Sequence, residues 1–210
     1  MTRPTAPLRL LIAATAALAM GGCISLFPKS KPVHLYRFGQ PATAQAAPSQ
    51  AGVVGVFRST GEFQQESAGD RLLTITNGKV AYVAETRWAA PASVLFDQAL
   101  LAAFDADPGR ARLVSRGEAA SADYILRIDV RNFETRYDNG PEAPPTVVLR
   151  LRAAMTHGVG RELVSDQIFE SRVPTGDNRV TAIVPAYDRA VADVLGQLVA
   201  WINTRAVPKA

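Results

Sequence analysis

Tyr124-Ile125-Leu126-Arg127-Ile128-Asp129-Val130-Arg131-Asn132-Phe133-Glu134-Thr135-Arg136-Tyr137 is the stretch whose pattern decides the architecture. Tyr124, Leu126, Ile128 and Val130 alternate with Arg127, Asp129 and Arg131, and a period of two marks a strand with one buried face. The apolar phase slips by one residue at Phe133 and resumes with Thr135 and Tyr137. A β-bulge near Arg131-Asn132 produces that slip. Downstream, a Gly/Pro-rich loop from Asp138 to Pro145 leads to a second alternation. Val147, Leu149, Leu151, Ala153 and Met155 there alternate with Arg150 and Arg152. A turn holding Gly158 and Gly160 then precedes a third strand, Leu163 to Val173, and three strands in sequence with short turns predict an antiparallel meander. From about Val184 to Asn203 the period changes. Val184, Tyr187, Val191, Val194, Leu198 and Ile202 recur at steps of three and four, with Asp188, Arg189, Asp193 and Gln197 on the opposite side. That spacing predicts an amphipathic helix.

Upstream the signals are shorter. Val33 to Phe38 and Val53 to Arg58 read as strands, separated by an Ala/Pro/Gln/Ser-rich connection from Gly39 to Gly52. A polar loop runs from Ser59 to Gly69. Leu73 to Thr76 and Lys79 to Val83 flank Asn77-Gly78, the residue pair that supplies two positive-φ positions to a type I′ hairpin turn. Ser93 to Phe104 reads as a helix interrupted only by Asp97 and Gln98, which predicts deep burial against a sheet, and Asp107-Pro108-Gly109 ends it. Strands and helices do not alternate regularly, which excludes a doubly wound parallel sheet. The prediction is an α+β fold, a mostly antiparallel sheet with two main helices on one face.

The chain has 210 residues, 48% of them hydrophobic and 20% charged, enough for one cored domain and unlike a disordered chain. No apolar run reaches the roughly 18 residues of a membrane span. Its net charge of +4 falls to +2 without the first 22 residues, which carry Arg3 and Arg9, and there are only four lysines. Nucleic-acid binding, which needs clustered cations, is not expected.

The N-terminus carries its own message. Arg3 and Arg9 precede the apolar run Leu10 to Met20, then Gly21-Gly22-Cys23: a basic segment, an apolar segment of signal-peptide length and small residues before a break. Met20-Gly21-Gly22-Cys23 resembles a bacterial lipobox, with Met20 where Leu is more usual. That resemblance implies cleavage after residue 22, diacylglycerol on the Cys23 sulfur and an N-acyl chain, palmitate for example, on the new amino terminus. More than one acyl chain makes a stable anchor. Ile24 follows the cysteine instead of the Asp that retains enteric lipoproteins at the inner membrane, so the implied address is the periplasmic face of the outer membrane. The expected organisation is a signal peptide over 1–22, a lipidated tether over 23–32, one domain over 33–205 and a tail over 206–210.

Catalytic material is sparse. The chain has two histidines, His34 in the first strand and His157 at a strand end, and one cysteine. No nucleophile elbow, P-loop or zinc-protease motif occurs, and a zinc site would need three or four nitrogen or sulfur ligands. Asp105 and Asp107 suit a helix stop, and Asp123 and Asp129 suit cross-strand ion pairs with the neighbouring arginines. Neither an enzyme nor a metal or cofactor site is expected, apart from the covalent lipid on Cys23.

Several segments together resemble the ABC-type transport auxiliary lipoprotein family, the Pqi- and Mla-like lipoproteins that accompany MCE systems. They are Cys23-Ile24-Ser25-Leu26 running to Val33–Phe38, Gly69-Asp70-Arg71-Leu72, Val80-Ala81-Tyr82 with Arg87-Trp88, the helix Val94 to Phe104, and Trp201-Ile202. The resemblance implies a non-catalytic outer-membrane lipoprotein that docks the periplasmic part of a lipid-transport system. Its partners would be an ABC permease and ATPase and an MCE-domain protein, with membrane lipid met through Cys23. An assembly or plug lipoprotein for an outer-membrane β-barrel is the alternative, and a periplasmic hydrolase a third reading. Phe63 in the polar loop, with Tyr82 and Trp88 around the hairpin exit, are the candidate partner-contact residues, because exposed aromatics are enriched at interfaces. Core packing is the competing role for Tyr82 and Trp88.

Overall fold

The long alternating stretch becomes the spine of the sheet. In the computed structural model, which describes residues 32–39 and 53–207, the elements run β1 (His34–Tyr36), β2 (Val54–Arg58), β3 (Arg71–Thr76), β4 (Lys79–Trp88) and α1 (Ala92–Ala106). They continue through β5 (Ala111–Val114), a 3-10 helix (Arg116–Ser121), β6 (Tyr124–Arg136), β7 (Thr146–His157), β8 (Leu163–Pro174) and α2 (Val180–Arg205). From Val33 onward the chain forms one unit. It is an α+β fold.

One edge of β6 pairs antiparallel with β7 along its whole length, from Tyr124↔His157 to Arg136↔Thr146. The register shifts between Val130 and Asn132, where the sequence places the bulge. β7 pairs antiparallel with β8, completing the meander. The other edge of β6 is shared. β2 lies parallel to its start (Val56↔Tyr124) and β3 parallel to its end (Thr74↔Thr135), with Phe63 bridging to Val130 between them. β5 extends the sheet beyond β2, and β4 then β1 extend it beyond β3, giving eight strands in all. The long ladders are antiparallel, and the short ones, β1–β4, β2–β5, β2–β6 and β3–β6, are parallel. Parallel neighbours arise because β2 and β3 reach the same edge of β6 from distant points in sequence, which strand periodicity does not encode.

Both helices bury against the face that carries Tyr124, Leu126, Ile128 and Val130, in one continuous core. Beyond the bulge, Phe133 and Thr135 rejoin that face, and the buried Thr135 hydroxyl donates to the Tyr187 hydroxyl of α2 at 3.1 Å. The opposite face is laced with ion pairs, Arg152 to Asp166 at 2.6 Å across β7 and β8 and Arg172 to Asp138 at 3.4 Å.

Several expectations change. α1 is buried along Leu95, Phe96, Ala99, Leu100 and Phe104 but leaves Val94 and Leu101 44% and 49% exposed, because the sheet covers only one side of it. α2 starts at Val180, before the expected Val184, and contains Pro185. Pro185 is exposed and close to the helix N-terminus, where a missing N–H disturbs least. Asp188 does not face away from the protein: it is half-buried and accepts the Gly39 N–H at 2.8 Å. Asp123 accepts the Gly55 N–H at 2.8 Å, and Asp129 pairs along its own strand with Arg127 at 3.0 Å, so neither makes the expected cross-strand pair. β5 and the 3-10 helix, absent from the sequence prediction, are too short to show a period.

Candidate functional site

Trp88 closes β4 and points inward. At 2% exposure it meets Phe38 edge-on at 4.9 Å and Tyr187 edge-on at 5.1 Å. The contact role expected of Trp88 is therefore corrected, since a ring enclosed by three other aromatics, Phe133 included, has no surface to offer. Phe63 is half-buried and also turned inward, with Phe133 at 5.6 Å and Phe96 at 6.0 Å. Among the three, Tyr82 alone stays on the surface, 38% exposed. Its hydroxyl donates to the Glu66 carbonyl at 3.0 Å, and the Arg71 guanidinium lies 4.9 Å from its ring centre. These contacts hold the ring in place between the hairpin and the 59–69 loop, with exposed Val80 on the same strand. Cys23 lies outside the described residues.

An open concavity lies between α1 and α2, away from the candidate aromatic residues. Ala99, Ala102, Ala103 and Ala106 recur at helical spacing along α1 and face α2, whose Ala192 and Gly196 are equally small. Small side chains on both helices leave between them an open groove of about 680 Å³, floored by Val191, Leu195 and Val199. At one end, Gly39 has φ +67 and sits so close to α1 that a Cβ would stand 2.5 Å from the Ala99 Cβ. Only glycine meets both demands there. Burial pushes the Asp188 carboxyl above the usual aspartate range, against the opposing pull of the Gly39 N–H and Arg189. At the other end, Asp107 accepts the Gly109 N–H at 2.7 Å and the Asn203 amide at 2.8 Å, the helix-stop role expected of it. The groove suits an apolar chain or a closely packed helix, and its i, i+3, i+4, i+7 alanine spacing was the sequence signal that could have located it.

Among the described residues no group of His, Cys, Asp and Glu could hold a metal ion, and no helix is long and apolar enough to cross a membrane. His34 is exposed on β1. His157 is also exposed and lies 5.3 Å from the Tyr124 ring.

Residues 69–199, from the turn before β3 to the last turns of α2, match the model of a family described as ABC-type transport auxiliary lipoprotein component. No curated protein sequence matches significantly. Among solved structures the chain is similar to protein XCC0632 from Xanthomonas campestris, of the family DUF330, at 23% identity and TM-score 0.67, covering 82% of this chain and 96% of that one. An uncharacterized protein shares the fold at 14% identity and TM-score 0.63, over 82% of this chain and 99% of its own. The hypothetical protein CT253 from Chlamydia trachomatis follows at 9% identity and TM-score 0.49, over 72% and 99%.

Proposed function

Because the chain belongs to the family of ABC-type transport auxiliary lipoprotein components, we propose that it is the lipid-anchored, non-catalytic member of a lipid-transport system in the bacterial envelope. The observation that carries this reading is the span of the family match, which runs through the hairpin and both helices that build the groove. The signal-like segment ending in Cys23 supports anchoring. In this reading Cys23 receives diacylglycerol and an N-acyl chain, and the domain stands at the periplasmic face of the outer membrane. There it docks an MCE-domain protein served by an ABC permease and ATPase. Surface-held Tyr82 and the α1–α2 groove are its contact positions.

Two experiments test it. A mild-detergent pull-down of the full-length protein from its native envelope is expected to recover the MCE-domain protein with its permease and ATPase. Recovery of a β-barrel alone would move the assembly-lipoprotein reading ahead. Cys23→Ala is expected to abolish labelling by radioactive palmitate and to shift the protein from the membrane to the soluble fraction. An unchanged distribution would remove the anchor from the proposal.

A further inference from the structure

At one corner of the sheet an apolar edge is left uncovered. β1 pairs with β4 only from His34↔Thr86 to Tyr36↔Trp88, so among the described residues the outer edge of β4 from Lys79 to Glu85 has no strand beside it. Val80, Ala81, Tyr82, Val83 and Ala84 follow one another there, and all but Val83 are exposed. Val33 and Leu35, just before and within β1, are exposed as well, Leu35 at 65%. We propose that this corner, with Val33, Leu35 and Val80 as its apolar contacts, lies in the headgroup layer of the lipid bilayer that holds the Cys23 anchor. The inference rests on the anchoring proposed above.

Chain direction and reach choose the occupant. Because β1 runs parallel to β4, the chain upstream of His34 leaves the sheet on the side of the hairpin turn. The residues from Cys23 to Val33 span at most about 36 Å. Arg71 is level with Leu35 across β4, and β3 advances about 17 Å from there to Thr76 at the turn. The whole corner therefore falls within reach of the bilayer. Bringing the opposite end of the sheet to the bilayer, about 33 Å back along β6, would consume nearly the whole tether.

Rival occupants fit less well. The tether carries Pro28 and Pro32, which lack the N–H that a ladder alongside β4 would need. Glu85, at φ 54, interrupts the edge that a strand from a second copy would follow. The edge holds one cation, Lys79, and one anion, Glu85, so apolar contact and not charge is the attraction.

Tyr82 is not part of the contact. Its hydroxyl reaches the Glu66 carbonyl, so the ring leans across β3 away from the free edge and stays available to a protein partner. The unpaired backbone groups of β4 must remain hydrated, which keeps the edge among the headgroups and out of the hydrocarbon. Confinement by the tether populates a contact too weak for the free domain to hold.

The test uses the purified lipidated protein in phosphatidylcholine vesicles, with an environment-sensitive nitrobenzoxadiazole probe on Val80→Cys. Cys23 is the only natural cysteine, so once it is acylated the introduced thiol alone takes the label. Val159→Cys, at the opposite end of the sheet and 81% exposed, is the control. Emission from the Val80 probe is expected to shift to the blue on reconstitution and to be quenched several-fold by lipid carrying a nitroxide near its headgroup. The Val159 probe should keep its aqueous spectrum, and added salt should change neither. A probe on exposed Ala84→Cys reads the same edge where Val80→Cys does not fold. Aqueous emission from the edge probe on vesicles that carry the protein through flotation would overturn this proposal alone. A blue shift without nitroxide quenching would mean that protein covers the edge, and a shift abolished by salt that charge holds it; either overturns the proposal. Failure of the lipidated protein to float with the vesicles would overturn the anchoring and this contact together.

Discussion

Trp88, Phe38, Phe133 and Tyr187 form one aromatic cluster in which every ring pair lies within 6.5 Å. The cluster joins the segment just after β1, the end of β4, the bulged half of β6 and the first half of α2. Trp88→Ala empties its centre and is expected to cost about 3–5 kcal/mol, read as a lower denaturant midpoint at unchanged slope. A loss below about 1 kcal/mol would mean that the ring is not enclosed as described. Asp188 makes a different prediction. Its carboxyl is held above the ordinary range by burial, so the folded protein binds its proton more tightly than the unfolded chain. Stability therefore falls as pH rises from the ordinary aspartate value through the raised one, and is regained below it. Asp188→Asn should lose that slope. Thermal melts of both proteins across the acid range, superimposable in their pH dependence, would show that Asp188 does not contribute. At this scale the sequence was only partly legible. An aromatic residue announces buried area but not direction, so core packing is the favoured reading of Trp88 from sequence, and the surface reading falls only when Phe38 and Tyr187, 50 and 99 residues away, are placed beside it.

The hairpin shows what local chemistry determines unaided. Asn77 and Gly78 take φ 50 and 76, as a type I′ turn requires, and β3 and β4 pair antiparallel across them from Thr76↔Lys79. Gly78→Ala forces a Cβ into left-handed backbone and is expected to cost about 1–2 kcal/mol. An unaltered melting temperature would mean that the turn relaxes to another type. The meander and α2 were legible for the same reason, because each carries a period over ten or more residues. What escaped notice was short or lateral. β5 spans Ala111–Val114, too few residues to establish alternation. β4 continues to Trp88, beyond the expected Val83, through an irregularity with Glu85 at φ 54. The parallel pairings of β2 and β3 with β6 depend on which edge was vacant. The α1–α2 groove was legible in principle, since alanines at i, i+3, i+4 and i+7 are a helical stripe. Their smallness counts for function only once a second helix with Ala192 and Gly196 is set opposite.

In the whole molecule, local and distant contacts are unevenly shared. β6, β7, β8 and α2 are consecutive and contact one another through short connections, whereas β2 and β3 find β6 only across long stretches of intervening chain. Contacts of short sequence separation form first as a rule. In pulse-labelled hydrogen exchange during refolding, amides of β6, β7 and β8 are expected to gain protection before those of β2 and β3. Simultaneous protection would indicate a single concerted nucleus. The divided edge of β6 has a consequence for the nascent chain. Val56 leaves the ribosome well before its β6 partner Tyr124 follows, an interval on the order of 3–14 s at ordinary elongation rates, with only short β5 to meet its strand sooner. Throughout that wait β2, β3, β4 and α1 hold their apolar residues open to whatever else is at hand. The half of the chain made first is thus the half that a holdase must escort, and the half made last is the template that releases it.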